Sequence, residues 1–99
     1  MFKNESKFQE FCSDTLRKLK VKFIHIPAGN KRAIEKGIPD LICFHDGKCF
    51  VIELKMPKEK PSPEQLKQLN DYDAHGIPAY IAKSSEQFLI ILSREGVIK

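Results

Sequence analysis

Residues 39–55 read Pro39-Asp40-Leu41-Ile42-Cys43-Phe44-His45-Asp46-Gly47-Lys48-Cys49-Phe50-Val51-Ile52-Glu53-Leu54-Lys55, two apolar runs on either side of an Asp-Gly pair. β-Branched and aromatic residues favour extended backbone, and Asp-Gly supplies the left-handed positions that a tight hairpin turn needs. The stretch predicts two antiparallel strands, Pro39–Phe44 and Lys48–Lys55. A fixed turn fixes every cross-strand pair. With Asp46-Gly47 as the loop, His45 faces Lys48 and Asp40 faces Glu53. A four-residue loop over residues 45–48 preserves the same pairing.

Opposed residues project to one face with Cβ atoms roughly 4.5–5.5 Å apart, so two carboxylates meet. Lys55 lies two residues beyond Glu53 and projects from the same face at the same end. Like charges placed opposite each other destabilise a sheet, and Ile42, Val51, Phe44 and Cys49 share this face. The arrangement asks for a cation. Lys55 supplies part of it, and a divalent ion supplies the rest, because carboxylate oxygens are hard ligands suited to Mg²⁺ or Mn²⁺. Such an ion polarises a phosphoryl oxygen and lowers the pKa of a bound water, the two needs of phosphodiester hydrolysis. Lys55 would orient the water or neutralise developing charge. A surface ion pair at a sheet end accounts for any one of these residues, but less well for all three together.

On the N-terminal side, Asn4–Leu19 reads as an amphipathic helix, with Phe8, Phe11, Cys12, Leu16 and Leu19 at three- and four-residue spacing. Val21–Ile26 is a strand closed by Pro27, and Ala28–Gly37 is a loop with three basic residues. On the C-terminal side, Met56–Pro61 ends the hairpin. Ser62-Pro63-Glu64-Gln65 opens a second helix, with Ser at the N-cap, Pro at the first helical position and Gln closing a capping box. That helix runs to His75 and stops at Gly76. Pro78–Ala82 is a fourth strand, and Ser84 or Ser85 caps a last helix that stops before Gly96. The order α-β-β-β-α-β-α predicts one α/β domain over residues 1–99, a mixed sheet with helices on its faces.

Ninety-nine residues suffice for a single core. With 41% hydrophobic and 30% charged residues the chain is neither disordered nor fibrous, and no apolar run approaches the roughly 18 residues of a membrane span. Charged residues arrive too early at the N-terminus for a secretory signal, so a cytoplasmic location is expected. The net charge of +4 permits a polyanionic partner without demanding one. Cys12, Cys43 and Cys49 lack metal-ligand spacing and read as buried free thiols; Cys43 and Cys49 have opposite parity on the hairpin, which argues against a disulfide. His25, His45 and His75 are isolated, and none is assigned to a metal.

Gly37-Ile38-Pro39-Asp40-Leu41, Glu53-Leu54-Lys55 and Ser62-Pro63-Glu64-Gln65 together resemble the virus-type replication-repair nuclease (VRR-NUC) domain of the PD-(D/E)XK superfamily, in its stand-alone, phage-like form. The similarity runs from about Glu5 to Leu92. It implies a restriction-endonuclease-like fold and a Mg²⁺- or Mn²⁺-dependent DNA endonuclease of replication, recombination or repair. It further implies that Asp40, Glu53 and the main-chain carbonyl of Leu54 hold the metal and that Lys55 assists the attack. Stand-alone members tend to be homodimers acting on branched DNA such as Holliday junctions; for a phage-encoded member the compartment would be the cytoplasm of a bacterial host.

The family also places a helix-1 glutamate and a helix-2 glutamine in the site. Glu5 and Glu10 compete for the first role: Glu5 lies about 40° from the centre of the apolar arc and Glu10 on the opposite face. A Glu that merely suits a helix N-terminus is the plainer reading of Glu5. Gln65 has two readings, closing the capping box or pointing inward with Leu69 and Tyr72. Lys31 and Arg32 before Asp40, and Lys58 and Lys60 after Lys55, bracket the site as candidate phosphate contacts or as ordinary solvated surface. No recognition-helix pattern argues for base-specific reading. A non-catalytic nucleic-acid-binding module on the same fold is the alternative function; the presence of Asp40, Glu53 and Lys55 speaks against it.

Overall fold

The computed structural model describes residues 2–30 and 34–99. Its elements follow the expected order: α1 (Glu5–Lys18), β1 (Lys22–His25), β2 (Leu41–His45), β3 (Lys48–Leu54), α2 (Pro63–Ala74), β4 (Ala79–Ala82) and α3 (Ser85–Arg94), with a short 3-10 turn at Ala28–Asn30. Asn4 is the N-cap of α1, its side chain accepting from Lys7 N–H, and Ser84, not Ser85, caps α3. No described helix is long and apolar enough to cross a membrane.

The strands form one mixed sheet in the order β1-β2-β3-β4, antiparallel up to β3 and parallel between β3 and β4. A parallel neighbour needs a crossover, and α2 provides it. His45 pairs with Lys48 and Leu41 with Ile52, so Asp46-Gly47 is the two-residue loop. Both loop residues have positive φ, 52° and 76°, the type I′ geometry that matches strand twist. The predicted register is the observed one.

Leu41, Cys43, Phe50, Ile52 and Leu54 project to one face of the sheet and join Phe8, Cys12 and Leu16 of α1 with Phe88, Ile91 and Leu92 of α3 in the core. Parity sends Asp40, Val51 and Glu53 to the other face, where α2 lies across β3 and β4. The β1–β2 half of that face is less covered: Ile24 and Phe44 are 47% and 39% exposed. All three cysteines are free, but only Cys12 and Cys43 are buried; Cys49, expected to be buried, is half-exposed on β3, where it faces the exposed Phe44 across the hairpin.

Candidate active site

Asp40 and Glu53 are among the most buried side chains in the protein, at 2% and 1% exposure. Asp40 stands one residue before β2, and the register that pairs Leu41 with Ile52 sets it opposite Glu53. Asp40 Oδ2 accepts from Leu54 N–H at 2.7 Å, so the carboxylate closes the end of the hairpin in place of a main-chain rung. Glu53 Oε2 lies 3.6 Å from Lys55 Nζ, and the Lys55 side chain is 13% exposed, which makes this a largely buried pair.

The residue before Asp40 has its own consequence. Asp40 turns its main chain toward β1, where its carbonyl accepts from Ile26 N–H at 2.9 Å. Alternation along the strand then aims the main-chain groups at position 39 toward β3, opposite Leu54. Proline has no N–H. Proline at position 39 therefore offers the Leu54 carbonyl no ladder donor.

Gln65 resolves its two readings by serving both. Its Oε1 accepts from Ser62 N–H at 2.8 Å, while Ser62 Oγ accepts from Gln65 N–H at 3.1 Å, a complete capping box. The other end of the amide, Nε2, donates to Glu53 Oε2 at 3.0 Å. The first turn of α2 is held in turn by the loop before β2. Gly37 has φ +81°, and a Cβ there would lie 2.5 Å from the Glu64 carbonyl oxygen, so only glycine permits this approach. Lys36 Nζ to Glu64 at 3.1 Å and Gln68 Nε2 donating to the Lys36 carbonyl at 3.2 Å complete the clasp. A hydrogen bond from its own main-chain N–H first, then the hydrogen bond and charge of Lys36, hold the Glu64 carboxyl below its ordinary range.

Glu5 opens α1 and is half-buried, whereas Glu10 is exposed and pairs with Lys7 at 3.4 Å, which points Glu10 away from the sheet. Seven residues separate Glu5 from Cys12, about 10 Å along the same helical stripe. Burial, then Cys43 and then the Asp40 carboxylate push the Cys12 thiol well above its ordinary range, while burial and Cys49 raise Cys43 to about 12. Both thiols stay protonated. Lys58 and Lys60 are exposed on the loop after Lys55; Lys31 and Arg32 lie outside the described residues. His25 faces the α1 side beside Leu41, and its Nε2 is buried with no hydrogen-bond partner among the described residues.

Among the described residues no three His, Cys, Asp or Glu side chains gather to hold a metal ion. The donors expected from the sequence, the buried Asp40 and Glu53 carboxylates with the Leu54 carbonyl, are all oxygen. That chemistry fits a hard divalent cation, which commonly takes one or two protein carboxylates and keeps several waters.

A mixed sheet flanked by helices, with Pro39-Asp40 and Glu53-x-Lys55 at one end of its hairpin, is the arrangement expected from the resemblance to the VRR-NUC domain. A family model described as the VRR-NUC domain matches residues 3–86, and the chain belongs to that family. Two solved structures titled as VRR_NUC domain proteins share the fold: one is 20% identical with a TM-score of 0.74, covering 90% of this chain and 94% of that one. The other is also 20% identical, with a TM-score of 0.76 over 95% of this chain and 88% of that one. Hjc of Archaeoglobus fulgidus, a Holliday junction resolvase from an archaeal hyperthermophile, is 23% identical with a TM-score of 0.56, covering 78% of this chain and 64% of that one. Comparison with curated protein sequences returned no match.

Proposed function

We propose that this protein is a metal-dependent DNA endonuclease that hydrolyses phosphodiester bonds, selective for branched structures such as Holliday junctions, and that it acts in replication, recombination or repair as a homodimer. The observation that carries the reading is the pair of buried carboxylates, Asp40 and Glu53, set opposite each other at one end of the hairpin with the Lys55 ammonium beside Glu53. Membership of the VRR-NUC family supports it, and the fold shared with an archaeal Holliday junction resolvase favours a branched substrate.

Asp40, Glu53 and the Leu54 carbonyl would hold Mg²⁺ or Mn²⁺, with Glu5 contributing from the first turn of α1. When bound, the ion would polarise a phosphoryl oxygen and acidify a water. Glu53 is oriented by the Gln65 amide and by Lys55, so its carboxylate keeps one rotamer as substrate arrives. Lys55, held near Glu53, is placed to orient the attacking water and to offset charge gathering on the phosphoryl oxygens. Its low exposure strengthens that interaction. Lys58 and Lys60, with Lys31 and Arg32, would engage flanking phosphates without reading bases.

The test is incubation of the purified protein with supercoiled plasmid and with a synthetic four-way junction in Mg²⁺, Mn²⁺ or EDTA. Asp40→Asn keeps an oxygen for Leu54 N–H, so it should fold normally and lose about a hundredfold or more of the cleavage rate. Lys55→Ala should lose a comparable amount. Undiminished cleavage by Asp40→Asn would sink the site, and light scattering reads the oligomeric state directly.

A further inference from the structure

A hollow opens where the chain leaves β3 and β4, one residue beyond Lys55. It is lined by Phe2, Phe8 and Met56 on its apolar side and by Lys83, Ser85 and Glu86 at its rim, with a volume of 220 Å³. Phe2 is half-buried and stacks on the buried Phe8, ring centroids 5.1 Å apart and planes 27° apart, so Phe2 is the aromatic surface the hollow offers and Phe8 holds it in place. A dry cavity of roughly 150 Å³ accepts benzene, and sites for drug-sized ligands begin near roughly 300 Å³. The hollow therefore has room for one flat ring system and not for a whole nucleotide.

Its position ties it to the site. Lys55 N–H donates to the Ala82 carbonyl at 3.0 Å, so Lys83 follows β4 beside Lys55, about one strand spacing of roughly 4.8 Å away. Met56 is the next residue after Lys55, and Phe2 and Phe8 flank Glu5 on either side along the chain. A strand of DNA whose phosphate lies against Lys55 has an adjoining sugar and base within reach of this hollow. The base must be unpaired, because a ring seated against Phe2 and Met56 cannot stay stacked in a duplex.

We propose that this hollow receives one unpaired nucleobase of the DNA strand held at the active site, with its ring against Phe2 and Met56 and its phosphate on Lys83. Glu86 accepts from ring or exocyclic N–H groups at the rim and turns phosphate toward Lys83. Every base offers a π-face, so the pocket selects strand structure over sequence. The inference rests on the nuclease reading for its substrate class, and it makes the branch preference a property of a built pocket.

The test measures fluorescence anisotropy in EDTA with a labelled blunt duplex and with the same duplex carrying a short unpaired tail. Wild type should bind the tailed DNA about tenfold more tightly, the scale of one base–aromatic stack. Phe2→Ala and Lys83→Gln should each lose most of that preference; Lys83→Gln, at the solvent rim, keeps the test decisive if Phe2→Ala does not fold. Equal affinity of wild type for both DNAs, or a preference intact in folded variants, overturns the pocket. Metal-dependent cleavage by wild type without the preference sinks the pocket alone. A preference without any metal-dependent cleavage sinks the nuclease reading alone.

Discussion

Gln65 shows how one side chain links helix initiation to the carboxylate pair. Its amide oxygen completes the cap of α2 and its amide nitrogen reaches Glu53. The two tasks separate by mutation. Gln65→Glu keeps a carboxylate oxygen for Ser62 N–H but sets a like charge against Glu53, so the cap survives and the donation is lost. Gln65→Ala removes both, at about 1 kcal/mol for the cap. The expected outcome is cleavage reduced in both variants, with Gln65→Ala losing the reciprocal cap bond in hydrogen-exchange protection at Ser62 and Gln65→Glu retaining it. Equal cleavage by wild type and Gln65→Glu would remove Gln65 from the site. The cap was readable from Ser62-Pro63-Glu64-Gln65 alone, because a capping box closes within four residues. The contact with Glu53, twelve residues away, depends on how α2 crosses β3.

Two junctions between elements carry the next predictions. Gly37 brings the loop before β2 against the first turn of α2. Gly37→Ala combines left-handed strain with a Cβ inside van der Waals distance of the Glu64 carbonyl, and should cost on the order of 3 kcal/mol. It should also reduce cleavage, since the displaced turn carries Gln65. Gly47→Ala has φ +76° but meets nothing within 4 Å; about 1 kcal/mol is expected there. Urea denaturation of both variants checks the contrast, and similar losses would refute the clasp. At the other junction, Tyr80 of β4 donates to Glu95, the C-cap of α3. Burial first, then the hydrogen bond and charge of Glu95, raise the Tyr80 phenol to about 12. A phenol raised above its unfolded value near 10 lends stability that is full below that value and lost as pH rises through about 12. Burial, then Glu35 and Cys49, also raise Tyr72, so phenolate absorbance in an alkaline titration should show both tyrosines ionising late, and Tyr80→Phe should remove the step at about 12.

Across the whole molecule, the sheet has one face closed by α1 and α3 while the other carries the candidate site under α2, at the end of the hairpin that leads into the Met56–Pro61 loop. On the proposed function, Lys58 and Lys60 of that loop would contact phosphates. Replacing Lys58 and Lys60 by Ala should weaken binding to all DNA alike. Each contact removed should lower the slope of log affinity against log salt by about 0.9 on duplex DNA; an unchanged slope would place both lysines away from the DNA.

Sequence alone decided much of this protein because its decisive signals are local. Asp46-Gly47 adopts the φ values of a type I′ turn, and that turn propagates through a period-two strand pair to set Asp40 opposite Glu53 and to place Lys55 beside it. Helical periodicity likewise separated inward Glu5 from outward Glu10. What tertiary structure alone decided involves partners far apart in the chain or face choices that parity leaves open: Gln65 serving cap and carboxylate together, Gly37 against Glu64, the half-exposure of Cys49, and a hollow assembled from Phe2, Phe8, Met56 and Lys83. Turn and cap chemistry acts over two to four residues and can be read from neighbours, whereas these contacts exist only once α1, α2 and β4 have packed against the hairpin.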